Sequence, residues 1–278
     1  MKSLVITSDC DHLLASEHIN ILKMFAENEI FVTTAVFARV DNEDSWLGRH
    51  CSSIDTHGWE NKELRKGLIE AQAMGHEIAF HGTSQCSNTR DEFVKGIDEY
   101  KYIFGEYPFT YIEHGPNPII QSHKTLEFKS ELLSNHGSEV DSDYYIKDIV
   151  QDVFGAYWDQ TCLLDEKDIT LTKSDWIKNN NDITYVNRAR MLDFTKFKTN
   201  LITSNNVNAT FIGYTHFGYE GFFGKRRQIL LNAFRPLFKS RFEYWKGKNL
   251  ERNIKEIKKI IDNNKIRSIT LKDLVKEQ

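Results

Sequence analysis

The feature that most constrains this chain is an alternation running through its first third. A helical stretch with one apolar face repeatedly gives way to a short run of β-branched and aromatic residues. Leu4 to Thr7 is the first such run. Ser16 then reads as an N-cap before Ile19, Leu22, Met24 and Phe25, whose spacing suits one helical face, and Ile30 to Phe37 follows as a second strand. Glu60 to Met74 carries Leu64, Leu68, Ile69 and Ala71 to Ala73 at helical spacing, stops near Gly75 and yields to His76–His81. Arg90 to Phe104, with Phe93, Val94, Ile97 and Ile103, leads into Phe109 to Ile112, which ends at the Gly115-Pro116-Asn117-Pro118 turn. Parallel strands need long crossovers, and helices are the usual crossovers, so the pattern predicts an α/β fold. Short strands with polar C-terminal ends point to an irregular (β/α) barrel with parallel strands surrounded by helices.

The 278 residues fit one such domain, spanning 1–278, with 218–278 as a C-terminal helical extension packed on the barrel. Residues 120–205 read less clearly. Asn179 to Asn181 and Asn205-Asn206 mark loops, Ile183 to Val186 and Phe211 to Tyr214 are the best later strands, and a Lys- and Ile-rich helix runs from Leu250 to Asn263 before Ile266 to Leu274. Hydrophobic residues at 40% and charged residues at 27% are globular values, which excludes a disordered chain. A formal net charge of -4 provides no field for a polyanion, so no nucleic-acid partner is expected. Cys10, Cys51, Cys86 and Cys162 form no C-x-x-C pair, and an apolar start broken early by Asp9 and Asp11 lacks the core of an export signal; both suggest a cytoplasmic protein. No apolar run is long enough to span a bilayer.

In parallel sheets, reactive groups collect beyond the carboxyl ends of strands, where variable loops sit on a rigid frame. That rule selects Asp9, Asp11 and His12 after the first strand, His81 and Gln85 after the third, His114 after the fourth and His216 after a late strand.

On these segments the chain resembles the polysaccharide deacetylases of carbohydrate esterase family four, the NodB-homology group. Thr7-Ser8-Asp9-Cys10-Asp11 is similar to the family's opening acidic motif, Gly75-His76-Glu77-Ile78-Ala79-Phe80-His81 to its Gly-His-Glu-Ile segment with a following His, and Phe211 to His216 to the late strand that ends in a His. The resemblance runs from about residue 4 to 217, with no match between 120 and 205. It implies Asp9 as catalytic base, His216 as general acid, and Asp11 and His81 as ligands of a divalent metal ion, zinc above all. The family's second His of that segment is Gln85 here; His114 is the favoured third ligand, with Gln85 or His12 as alternatives. Where the family carries an Arg-x-Pro segment, this chain has Glu113-His114-Gly115-Pro116, so the residue that orients the catalytic Asp is missing from that position.

Such parts form a kit for hydrolysing an amide: a divalent ion polarises the carbonyl and lowers the pKa of a water to about 7, a carboxylate takes the proton, and an acid protonates the leaving nitrogen. The resemblance thus implies a metal-dependent deacetylase acting on an N-acylated sugar, an intracellular nucleotide-linked or lipid-linked precursor of surface polysaccharide. The losses at position 85 and at the Arg motivate a different class, a non-catalytic carbohydrate-binding or scaffold protein that has lost its metal; an O-acetyl esterase using the same groups is a third reading.

Each residue also has a plainer role. Asp9 and Asp11 would serve as helix caps, His81 as a barrel-rim histidine, His114 as a turn residue and Gln85 as a loop hydrogen-bonder, whereas His76 is read as structural from the outset. The aromatic and basic stretch from Phe222 to Lys246 is expected to be a helix packed on the barrel, with peripheral contact to anionic lipid as its minor reading.

Overall fold

A computed structural model describes residues 1–10, 13–39, 58–84, 88–114, 125–128, 131–134, 137–158, 163–164, 172–190, 206–217 and 247–277. In chain order the elements are β1 (Ser3–Asp9), α1 (Ala15–Glu27), β2 (Val32–Val36), α2 (Lys62–Ala73), β3 (Glu77–Phe80), α3 (Arg90–Phe104), β4 (Thr110–Ile112), β5 (Thr125–Phe128), β6 (Glu131–Ser134), α4 (Lys147–Val153), β7 (Ala156–Trp158), β8 (Leu163–Leu164), α5 (Lys173–Trp176), β9 (Ile177–Asn180), β10 (Ile183–Val186), β11 (Arg188–Arg190), β12 (Thr210–His216), α6 (Gly247–Asn264), β13 (Arg267–Ser268) and α7 (Leu271–Lys276).

One sheet carries the fold, in the order β8-β11-β12-β1-β2-β3-β4-β7-β10-β9, with β13 added beside the start of β1. Its pairings are parallel except β9 with β10, and β5 and β6 form a separate antiparallel hairpin. This is the expected α/β class, a parallel sheet with helices around it. Among the described residues the ring is not closed by strand pairing: β8 and β9 are its two ends.

Every residue of β1 is buried, as a parallel strand covered on both faces must be. The helices supply one cover. Ile21, Leu22 and Phe25 of α1, Leu64 and Leu68 of α2, and Leu250, Ile254 and Ile257 of α6 share one core with Leu4, Ile6, Ile78 and Phe80 of the strands. Gly67 permits the close crossing of α1 and α2, since a Cβ there would overlap Ile19. On the other face, Ala35, Ala79, Ile112 and Trp158 make a small separate cluster, and polar side chains take the remaining space.

Buried polar groups at the opening of β3 close the amino end of the sheet. His76 takes a hydrogen bond from the Val32 backbone N–H on Nδ1 and donates from Nε2 to the Leu22 carbonyl, so both ring nitrogens are used. Burial holds its pKa below the ordinary histidine value, against the pull of those two bonds. Glu77 accepts from the Thr33 and Thr110 hydroxyls and from the Lys272 backbone N–H, tying α7 to β2, β3 and β4; burial pushes its carboxyl up. The structural reading of His76 is the observed one.

Some local expectations are corrected. Helix α1 begins at Ala15 with Leu14 at the N-cap and no side-chain cap, so Ser16 lies inside the first turn. Ile69 and Val94, placed by spacing with the apolar faces, lie toward solvent. Helix α3, by contrast, has its expected bounds, because Thr89 and Glu92 form a reciprocal capping box and Gly105 ends it in the left-handed conformation. The Gly115 to Pro118 turn and the Phe222 to Lys246 stretch lie outside the described residues. Among the described residues no helix is long and apolar enough to cross a membrane.

Candidate active site

Strand register decides which side chains meet. Asp9, the last residue of β1, is paired with His216, the last of β12, and with Ala35 of β2, which is paired in turn with Ala79 of β3. Side chains alternate along a strand, so His81, two residues beyond Ala79 and still hydrogen-bonded through its N–H to the Val36 carbonyl, shares the face of Asp9. By the same count it stands opposite Ile112, the neighbour of Trp158, and His114 follows two residues later. Asp9, His81, His114 and His216 thus fall at the carboxyl ends of neighbouring strands, on the face turned away from the helices.

Two groups form there. In the first, the buried Asp9 carboxylate lies between a guanidinium and an imidazole: Arg188 Nη1 is 3.4 Å from Oδ1, and His216 Nε2 is 4.0 Å from Oδ2. Arg188 is wholly buried, and its Nη1 also donates to Thr7 Oγ1 at 3.0 Å, while the Thr7 hydroxyl donates to the Gly213 carbonyl. Its guanidinium lies against two aromatic rings that also meet each other, 3.7 Å from the Trp158 centroid and 4.3 Å from that of Tyr214. A buried guanidinium packed against two rings and hydrogen-bonded at its edge has little freedom, so it fixes the carboxylate it faces. Tyr214 also meets the His216 ring, centroid to centroid at 5.2 Å.

In the second group, the His81 and His114 rings stand 5.2 Å apart, with Phe37 against both. His81 Nδ1 lies 2.6 Å from the Ile112 carbonyl oxygen. A carbonyl can only accept, so Nδ1 is the donor, and in a neutral ring the lone pair then falls on Nε2. This is how metal-binding histidines are commonly held. The neighbouring Glu113 turns the other way and accepts from the Tyr157 hydroxyl at 2.6 Å, which makes it part of the packing.

With these distances in place, the fold can be set beside solved ones. A polysaccharide deacetylase from Bacillus cereus is 11% identical, with a TM-score of 0.43, over 97% of this chain and 91% of that one. The peptidoglycan deacetylase PdaC from Bacillus subtilis is 13% identical, with a TM-score of 0.43, over 100% and 92%. A branching enzyme from Pyrococcus horikoshii is 9% identical, with a TM-score of 0.45, over 99% and 70%. No protein-family model matches the chain, and no curated protein matches it.

Asp9 and His216 stand together, as do His81 and His114. Asp11, His12 and Gln85 lie outside the described residues. Among the described residues no three His, Cys, Asp or Glu side chains are grouped as a metal site. The donor types nevertheless suit a divalent ion: His81 donates through Nδ1, and a second imidazole stands beside it.

Arg188 is the residue that sequence reasoning missed. No arginine stands beside His114 in the sequence, and the one that faces Asp9 comes from β11, across β12. The available signal was weak: Arg188 and Arg190 alternate about Ala189 with the period of a strand, after the strand-like Ile183 to Val186.

Proposed function

We propose that this chain is a metal-dependent hydrolase that removes the acyl group from the nitrogen of an amino sugar. The observation that carries the reading is the oriented carboxylate: Asp9, buried at a strand end, held by Arg188 on one oxygen and facing His216 on the other. The motif resemblance of residues 7–11, 75–81 and 211–216 supports the choice of an N-acyl sugar as substrate.

In this reading Asp9 takes the proton of the attacking water, and Arg188 keeps its carboxylate aimed while the charge on it changes. His216 gives a proton to the amide nitrogen as the C–N bond breaks, which an amine leaving group requires. The two groups lie side by side, so the proton accepted at Asp9 has a short route to the imidazole that must be recharged. His81 and Asp11, with His114 as third ligand or Gln85 or His12 in its place, would hold a divalent cation such as zinc. When bound, that cation would polarise the acyl carbonyl and acidify water. A cytoplasmic protein acting on a nucleotide-linked or lipid-linked amino sugar of surface-polysaccharide assembly remains the finer part of the proposal.

Acetate release from N-acetylglucosamine oligomers and nucleotide-linked N-acetylglucosamine, measured with added zinc, tests this. Wild-type turnover should fall at least about a hundredfold in Asp9→Asn and in His81→Ala; full activity in either variant refutes the assignment. Glycan binding without hydrolysis of any N- or O-acylated sugar would instead identify a carbohydrate-binding protein. Preference for O-acetyl substrates would identify an esterase.

A further inference from the structure

Strand β1 is apolar through Leu4, Val5 and Ile6 and then turns polar at Thr7, which is wholly buried. A buried hydroxyl is costly unless its hydrogen bonds are made, and valine has the same branched shape without that cost. The hydroxyl therefore needs a use.

Its two partners supply one. Thr7 Oγ1 donates to the Gly213 carbonyl at 3.0 Å and accepts from Arg188 Nη1 at 3.0 Å. A carbonyl only accepts and a guanidinium only donates, so the group joining them must do both, and the single hydroxyl proton lies toward Gly213. Gly213 belongs to β12, the strand that separates Thr7 on β1 from Arg188 on β11. The hydroxyl is thus tied to the backbone that the Arg188 side chain has to cross.

The register shows how far that side chain runs. Ala189 is paired with Gly213, and Gly213 with Ile6, so Arg188 starts level with Val5 and passes Thr7 before it meets Asp9. Contacts with the Trp158 and Tyr214 rings place its central carbon, but they do not choose where its N–H groups point. Hydrogen bonds make that choice. Nη1 carries two hydrogens in the guanidinium plane, and the nitrogen that donates to Thr7 also donates to Asp9 Oδ1, at 3.4 Å. With one hydrogen held on Thr7, the other is turned to the carboxylate.

From this we infer that the Thr7 hydroxyl is a positioning group, which aims Arg188 Nη1 at the Asp9 carboxylate. The inference rests on the reading of the site proposed above. It adds a residue that acts on the reaction through Arg188.

Two readouts on the full chain test it. The first is hydrolysis of a tetramer of N-acetylglucosamine with added zinc. Thr7→Val keeps the shape and removes the acceptor, so kcat should fall about tenfold with KM within about twofold of wild type, since only the aim of the base is lost. Thr7→Ser restores a hydroxyl and should recover most of that loss. The second readout is the NMR signal of the two Arg188 Nη1 hydrogens in protein carrying 13C,15N-arginine, assigned from Arg188→Met. Two anchored hydrogens cannot exchange places, so wild type and Thr7→Ser should give two separate signals and Thr7→Val one averaged signal.

A kcat in Thr7→Val equal to wild type, a Thr7→Ser variant as slow as Thr7→Val, or separate Nη1 signals that persist in Thr7→Val would overturn the inference. Should the valine variant not fold, a single averaged signal in wild type would do the same. Failure of wild type to hydrolyse any acylated sugar would sink the hydrolase reading alone, because the Arg188 signals still decide what Thr7 does.

Discussion

Strand β3 is flanked by two buried histidines, and the two ends of the sheet treat them differently. At the amino end, both nitrogens of His76 are spent on backbone groups, and Glu77 is surrounded by the donors of Thr33, Thr110 and Lys272. At the carboxyl end, one nitrogen of His81 is tied to Ile112 in the tautomer that leaves the other able to accept, and Asp9 is steered by Arg188 toward a second histidine. The contrast teaches that burial alone does not mark function. What separates the ends is whether hydrogen bonds complete a polar group or aim it.

The largest effect that would test this contrast concerns Arg188. Arg188→Met leaves the buried Asp9 carboxylate without its cation and should cost about 3–5 kcal/mol of stability by urea denaturation. Combined with Asp9→Asn, the same substitution should cost much less than the sum of the two single changes, because no charge remains to be compensated. Additive losses would mean that Arg188 supports the packing of Trp158 and Tyr214 and not the carboxylate.

A smaller effect belongs to the amino end. His76 has its pKa lowered by burial, so below the ordinary histidine value the unfolded chain binds a proton that the folded one refuses. Stability should therefore fall as the pH drops through that value, by at most about 1.4 kcal/mol per pH unit from this group. His76→Gln should lose this share of the slope even if it is less stable at every pH. A slope unchanged in the variant would show that His76 is not the titrating group.

The smallest effect is expected from a pair that is well formed but half in water. Arg90 grips Asp148 through both nitrogens at 2.7 Å, which holds the Asp148 carboxyl below the usual range. The stability it brings is present above the ordinary Asp value and is lost as the pH falls through the lowered one. With both side chains more than a third exposed, Asp148→Asn should cost under about 1 kcal/mol at neutral pH.

How much was legible in the residues follows the same division. The β-α-β opening, β3, α3 and β12 could be read because their apolar residues keep one period over four or more positions, and because Thr89, Glu92 and Gly105 punctuate α3 chemically. Strands β7 and β11 are three residues long, too short for a period to emerge, and each carries a site residue, Trp158 and Arg188. Arg188 was doubly hidden, since an arginine usually marks a surface and this one is buried by partners that only the folded chain supplies. The positions of Asp9, His81 and His216 could be read because they stand at or directly after strand ends, where the sheet dictates their direction.

The central claim is that β1 and β3 deliver their acids and His81 to a single cation. Zinc soaked into crystals of the protein and located by anomalous scattering tests it most directly. One ion bonded to His81 Nε2 and to the Asp11 carboxylate, with Asp9 alongside and held by Arg188, is the result expected. Zinc bound only elsewhere on the molecule, or His81 and Asp11 too far apart to share an ion, would contradict it.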